Sequence, residues 1–524
     1  MGLQALNRFD KNNPIYSKFE TFIENLSCVV EKILAPELAG EYAVVCHGDV
    51  QTKNFLFKYD NDSQPDIPTD LCFLDLQISQ TSSPCLDIAF FIWYALLNSF
   101  VIDITKNYFK SRIMDNNEIE IPDYVKKVID KICTDFKINQ CYVLQAASPI
   151  KLGENWLGQI LKITAKIDNN ENLNVIAKIP PASNIYRDLF SLRIAFEREI
   201  YMYKEVIPEF KKIQQENKIK DVFEPFVNCL ETSLDERREI IVLQNMNLRG
   251  YRTLNQNQAV DYEHASLAMK TLGKYHALSF ALREQKPELF KKLGNNTKEI
   301  FFISTIRPLY VQVTQNLGDQ ILNYLPKNSE VFRKFQSFIK DPNFVIDKIM
   351  NPELAGVYSV IGHGDFQSKN LMFSYENKLN PDSPTKLCVL DWQLSRIGSP
   401  CLDVSTFLWL CTDKNLRNRH YDELLKIYYT NFSWFLKKLG GNPEKSFPLV
   451  VFKEHLKHFS IAGLFLSIWM ILTNITDSHD TPDITGYDSI EQAIDAYSSN
   501  VSNETYLTTI ENLIHDFIKC GYDF

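Results

Sequence analysis

The strings HGDVQTKNFLF (47–57) and HGDFQSKNLMF (363–373) each place an aspartate two residues after a histidine and an asparagine five residues after that aspartate. A second aspartate follows each string at the end of a short apolar run, Asp75 after LCFL and Asp391 after LCVL. A carboxylate at the end of a buried strand needs a partner, because an unpaired buried charge is costly. In the second copy, Asp365, Asn370 and Asp391 therefore bring two carboxylates and an amide oxygen toward one place. Such hard oxygen ligands suit Mg²⁺, which is usually held by one or two carboxylates together with substrate phosphates. The order Asp, Asn five positions on, then a further Asp about twenty positions later is that of phosphoryl transfer in kinase-like sites. In that template Asp365 accepts the proton of an acceptor hydroxyl while Asn370 and Asp391 hold metal against the phosphates. Asp and Asn also stabilise ordinary turns, and it is the upstream motifs that favour chemistry over that plainer reading.

These residues need elements to stand on. YSVIG (358–362) before His363 and LCVL before Asp391 read as short buried strands that end at the polar groups. Further upstream, LNVIAKI (173–179) alternates, with Leu173, Val175, Ala177 and Ile179 on one face and Ile176 and Lys178 on the other. Segment 187–210 reads as a helix whose apolar stripe of Leu192, Phe196 and Tyr203 also carries Glu199, whereas Glu197 and Glu205 fall on solvated faces. A strand lysine followed by a helix glutamate is the kinase ion pair that positions the α- and β-phosphates, so Lys178 and Glu199 join Asp365 as candidate catalytic residues. Two separate surface charges are the plainer alternative.

GENWLG (153–158), before that strand, can form a turn over phosphates with backbone amides as donors, which points to Gly153, Asn155 and Gly158. It is no P-loop, because Gln159 and Ile160 follow where Lys and Ser/Thr would stand. EIIVLQNM (239–246) reads as a buried strand running into a polar stretch, either an ordinary strand end or a place where Gln244 and Met246 contact adenine. His276, in the helical run 266–282, reads as a packed or hydrogen-bonded histidine. His455 and His458 lack a zinc-protease context, and no GxSxG elbow offers a serine nucleophile.

Sliding the chain by 316 positions, the distance from His47 to His363, aligns 32–97 with 348–413 without a gap, and about half the pairs are identical. PELAG (36–40 and 352–356) and SPCLD (83–87 and 399–403) fall in register. Nothing before the first copy corresponds to 121–316, and nothing after about residue 97 corresponds to 414–524. This predicts a truncated duplicate over 1–97, a linker over 98–120 and a complete unit over 121–524. His47, Asp49, Asn54 and Asp75 then reproduce the site without a lysine-bearing half and are expected to be silent, with the apolar FFIWYALL (90–97) left uncovered.

A net charge of −9 argues against nucleic acid or a membrane surface as partner, since either needs a basic face. Eleven scattered cysteines without zinc-ligand spacing suit reduced thiols in the cytoplasm, and the N-terminal residues contain no signal-peptide core. The most apolar run, 461–472, is too short to span a bilayer and reads as a buried helix.

With GENWLG, Lys178, Glu199, YHAL, HGDFQSKN and DWQ in this order, residues 121–524 resemble the insect ecdysteroid kinase-like (CHK kinase-like) family, related to choline and aminoglycoside kinases. The resemblance implies an α+β, two-lobed protein-kinase-like fold, with an N-lobe over about 121–246 and a C-lobe over about 247–524. It implies ATP and Mg²⁺, and a small-molecule alcohol as acceptor, an ecdysteroid or a xenobiotic. By that likeness Asp365 is the base, Asn370 and Asp391 are metal ligands, Lys178 is the phosphate lysine and Glu199 its partner. His363 is loop scaffolding, and Asp403, in the first turn of the helix after GSP, braces the loop. Gln367 stands where members commonly have Trp, and Gln244-Asn245-Met246 where an acidic residue is common. An inactive pseudokinase or binding module of the same fold is the alternative reading; a protein kinase fits less well, without D-F-G or A-P-E.

Overall fold

The computed structural model describes residues 44–46, 55–58, 70–73, 80–82, 121–135, 141–147, 158–167, 172–181, 187, 191–254, 259–299, 307–376, 380, 382–475, 504–522 and 524. The chain divides into two compact units, Met1–Asn117 and Glu118–Phe524. In the first, strand β1 (Val44–Cys46) pairs antiparallel with β4 (Gln80–Ser82), and β2 (Phe55–Lys58) with β3 (Asp70–Phe73). His47, Asp49, Asn54, Asp75 and the run 90–97 lie outside the described residues.

The second unit opens with helix α1 (Asp123–Asp135), whose Val125, Ile129, Ile132 and Cys133 form one buried stripe. It packs on an antiparallel sheet in the order β5 (Cys141–Ala147), β6 (Gln159–Ile167), β7 (Asn172–Ile179), β9 (Ile240–Gln244), β8 (Cys229–Ser233). The alternation in β7 is obeyed: Val175, Ala177 and Ile179 join α1 in a small core, and Ile176 packs on the opposite side. Strand β9 is buried on both faces, Ile240 and Val242 in the small core and Ile241 and Leu243 in a larger one.

The helix expected over 187–210 runs as α2 (Leu192–Tyr201), a π-helical turn (Met202–Val206) and α3 (Ile207–Glu216). The break has a physical cause in Pro208. Proline has no N–H for the ladder and its ring crowds the preceding turn, and the wider π turn just before it accommodates both effects. Both helices pack in the larger core, through Leu192, Phe196, Tyr203 and Phe210.

That core continues into a mainly helical body. Helix α4 (Tyr262–Gln285) starts where the Asp261 carboxylate accepts from the His264 N–H at 3.0 Å. Helices α5 (Pro287–Asn295), α6 (Arg307–Tyr324), α7 (Glu330–Ile339) and α8 (Pro342–Met350) follow. Two small sheets carry the motif region. Strand β11 (Val360–Gly362) pairs with β14 (Arg396–Gly398), while β12 (Leu371–Ser374) lies between β10 (Tyr251–Thr253) and β13 (Lys386–Val389). Their register matches the first unit at the same offset: Val360 faces Gly398 as Val44 faces Ser82, and Leu371 faces Val389 as Phe55 faces Phe73.

Helix α9 (Pro400–Cys411) is buried throughout, with Ser399 as its cap and Pro400 in its first turn. Helices α10 (Lys414–Lys438), α11 (Leu449–Phe459), α12 (Ile461–Ile475) and α13 (Glu504–Lys519) complete the body. Among the described residues no single helix is long and apolar enough to cross a membrane, and the apolar run 461–472 is packed in the large core.

Candidate active site

Strand β11 ends at Gly362, and the chain turns through His363, Gly364 and Asp365 into a 3₁₀ turn at Ser368–Asn370. Gly364 adopts φ +84°, and a Cβ there would run into the Leu394 carbonyl oxygen, so the middle residue of His-Gly-Asp has to be glycine. Asp403, in the first turn of α9, holds this bend. Its carboxylate accepts from the backbone N–H of His363 at 2.7 Å and of Gly364 at 2.8 Å. His276 adds a third bond through Nε2 at 3.2 Å, while its Nδ1 meets the Tyr428 hydroxyl at 2.8 Å. Burial alone would push the Asp403 carboxyl up, but His276 and the loop amides outweigh it and hold the group below the ordinary aspartate value. His363 is buried within the loop: its Nδ1 accepts from Asp365 N–H at 3.2 Å, which leaves Nε2 to donate to the Leu390 carbonyl at 2.9 Å.

Both oxygens of Asp365 are engaged. Gln367 Nε2 donates to Oδ1 at 2.8 Å, and Asn370 Nδ2 donates to Oδ2 at 2.9 Å. Burial raises the Asp365 pKa, the Gln367 amide opposes it, and the nearby Asp391 charge adds to the rise, for a net upward shift. Gln367 itself is only 4% exposed. The sequence marked it as a departure from a common tryptophan; its bond to Asp365 was not foreseen.

Strand β13 delivers Asp391 just past its end, in a left-handed conformation with φ 63°. Aspartate tolerates that region better than most residues, and a strained non-glycine residue there is a recurrent feature of functional sites. Asp391 Oδ1 lies 2.8 Å from Lys178 Nζ, and the same ammonium lies 2.8 Å from Glu199 Oε2. Lys178 and Glu199 are 3% and 1% exposed. Burial pulls the Lys178 pKa down, but Asp391 and Glu199 together carry it above the ordinary lysine value, so the ammonium is charged. The two residues read as a pair from periodicity thus do meet, and Asp391 joins them from 213 positions away.

Gly158 sits against this lysine, where a Cβ would be 3.2 Å from Lys178 Cγ and Cε. Gly153 and Asn155 lie outside the described residues. At the end of β9, Gln244 turns to Asn228: its N–H donates to the Asn228 carbonyl at 2.9 Å, and its Oε1 accepts from Asn228 Nδ2 at 3.1 Å. Met246 is buried in the large core. Between them Asn245 is 2% exposed; its side-chain oxygen caps Asn247 at 3.1 Å, and its Nδ2 has no hydrogen-bond partner among the described residues. A buried donor without an acceptor costs about 1–3 kcal/mol, which marks this spot as one that a ligand acceptor or a water would satisfy.

Arg198, next to Glu199, was also missed. It is 6% exposed and donates to the carbonyls of Ser395 and, at 2.7 Å, Lys298. Burial lowers its pKa to about 10. A buried arginine breaks the apolar-stripe pattern, so periodicity alone assigns it to solvent.

A model of the ecdysteroid kinase-like family matches residues 2–111 and 152–441. Among solved structures, a glucosamine kinase (crystal form A) aligns over 68% of this chain and 82% of its own at 13% identity, with a TM-score of 0.26. No curated protein matches the chain. The family match takes in both HGD strings, the Lys178 strand, the Glu199 helix and the Asp391 strand end, and spans well over half of the sequence: the chain belongs to the ecdysteroid kinase-like family.

Proposed function

We propose that the second unit is a small-molecule kinase of two-lobed kinase-like architecture, transferring the γ-phosphoryl group of ATP to an alcohol, with an ecdysteroid or a xenobiotic as the acceptor class. The observation that carries this reading is the Lys178 ammonium held 2.8 Å from both Glu199 and Asp391, on the same site as a hydrogen-bonded Asp365. Phosphoryl transfer depends mainly on positioning and charge neutralisation, so this short set of groups is sufficient.

The donor set suits Mg²⁺. Asn370 commits its nitrogen to Asp365, leaving its amide oxygen, and Asp391 has a second carboxylate oxygen besides the one on Lys178. Bound there, the ion would neutralise charge on the phosphates. Lys178 would draw the α- and β-phosphates, Glu199 fix the lysine, and Asp365 accept the acceptor's proton. Its raised pKa suits a base that must also release that proton. The orphaned Asn245 amide offers a donor to a purine nitrogen. Cys229, Cys388, Cys401, Cys411 and Cys520 carry free thiols, which fits a reducing compartment such as the cytoplasm.

The first unit is read as a silent duplicate of the C-lobe core. Cys46 and Ser82 stand at the positions of Gly362 and Gly398. In the second unit a Cβ at those glycines would lie 2.7 Å from Asp403 Oδ2 and 2.9 Å from Leu402 Cδ1, in the brace that holds the loop.

Thermal melting of the full chain with and without Mg·ATP tests the assignment. A ligand at a hundredfold excess over Kd stabilises by about 2.7 kcal/mol. A Mg-dependent rise abolished by Asp391→Ala is expected; a rise that survives the substitution, or none in the wild type, would overturn the metal and nucleotide assignment.

A further inference from the structure

A cavity of about 750 Å³ opens between the α3–β8 connection, helix α4, the start of β13 and the end of α10. That volume falls in the range of about 300–1,000 Å³ common for small-molecule sites. None of Lys178, Glu199, Asp365, Asn370 or Asp391 lines it. Six lysines do: Lys218, Lys220, Lys270, Lys274, Lys386 and Lys438. For a chain of net charge −9 this is an inverted local balance.

The acids nearby do not neutralise it. Among the described lining residues Asp221 and Glu224 are the acidic ones, and Glu224 pairs at 3.4 Å with Lys211, which does not line the cavity. Lys386 alone of the six has an ion-pair partner among the described residues, Glu376 at 2.8 Å. Lys274, half-buried, stands over aromatic rings instead, 5.3 Å from the centroid of Trp434 and 5.4 Å from that of Phe223. Lys438 lies over the same Trp434 ring at 4.3 Å. Rings hold a cation in place but leave its charge unneutralised. Burial, together with Lys270 and Lys438, lowers the Lys274 pKa, as expected of ammonium groups crowded without an anion.

Among the described residues the lining contains no arginine. A planar carboxylate is read best by the arginine fork, whereas lysines act as point charges suited to phosphate oxygens arrayed around a tetrahedral centre. The number of lysines calls for several negative charges. We propose that this cavity binds a multiply charged phosphate anion, either free in solution or displayed as the headgroup of a phosphorylated lipid.

The test titrates tripolyphosphate into the full chain by calorimetry at low salt in chelator, which removes metal-dependent phosphate binding. Wild type is expected to bind, with affinity falling as salt rises. Lys270→Glu with Lys438→Glu, both exposed, should weaken binding about tenfold or more, the scale of losing two charge-assisted contacts. Melting of this double variant confirms that it is folded. Lys178→Met should bind as wild type does. A second arm sediments the protein with phosphatidylcholine vesicles containing phosphatidylinositol bisphosphate. Sedimentation lost in the double variant assigns the lipid headgroup, whereas tripolyphosphate binding without sedimentation assigns the free anion. Absence of both, or affinity unchanged in the double variant, or lost in Lys178→Met instead, overturns the proposal.

Discussion

The Asp365 carboxylate meets two opposing influences, and Gln367 decides part of their balance. An amide donating to the ionised carboxylate favours that form, so removing it lets burial raise the pKa further. Gln367→Leu should therefore move the acidic limb of the pH–rate profile for ATP turnover to higher pH, with activity at high pH largely kept. An unmoved limb with uniformly lower activity would mean that Gln367 serves packing alone. That Asp365 meets Asn370 and lies near Asp391 could be read from the motif spacing, because each stands at a local turn or strand end. Gln367 and His276 could not be read in this way. The bonds from Gln367 to Asp365 and from His276 to Asp403 depend on side-chain directions that only the folded loop fixes.

Among elements, α2 is where local pattern and tertiary structure part. The stripe of Leu192 and Phe196 and the placement of Glu199 followed from helical spacing, and β7 from alternation. The π turn before Pro208 and the burial of Arg198 did not, because both depend on what packs against the helix. Arg198 ties α2 to the backbone just past Asp391 and to the segment after α5 through two carbonyl oxygens. Arg198→Met should destabilise the protein by about 2–3 kcal/mol in chemical denaturation, as expected for charged hydrogen bonds lost from buried acceptors. Because the bond spans Glu199 and the Asp391 loop, it should also weaken the Mg·ATP response; Arg198→Lys should recover part of both. Unchanged stability would show that the two carbonyls find other donors.

Across the whole molecule, the offset of 316 positions was legible as sequence identity and recurs in the strand pairing of both units. What the alignment did not disclose is that two of its mismatches fall at positions packed against the loop brace. Transplanting one of them, as Gly362→Cys, should cost about 1–3 kcal/mol of stability through overpacking against Asp403 and abolish nucleotide-dependent stabilisation; near-wild-type behaviour would remove the steric ground for a silent first unit. The two cores of the second unit carry a further consequence. The core formed by α1 and the five-stranded sheet is small, while α2 belongs to the large one. In amide hydrogen exchange, β6 and β7 should then open as a separate cooperative unit, at lower free energy than α4 and α9, without disturbing the loop around Asp365. The Lys178 bonds to Glu199 and Asp391 join that unit to the rest, so Mg·ATP should slow exchange in β7 more than in α9.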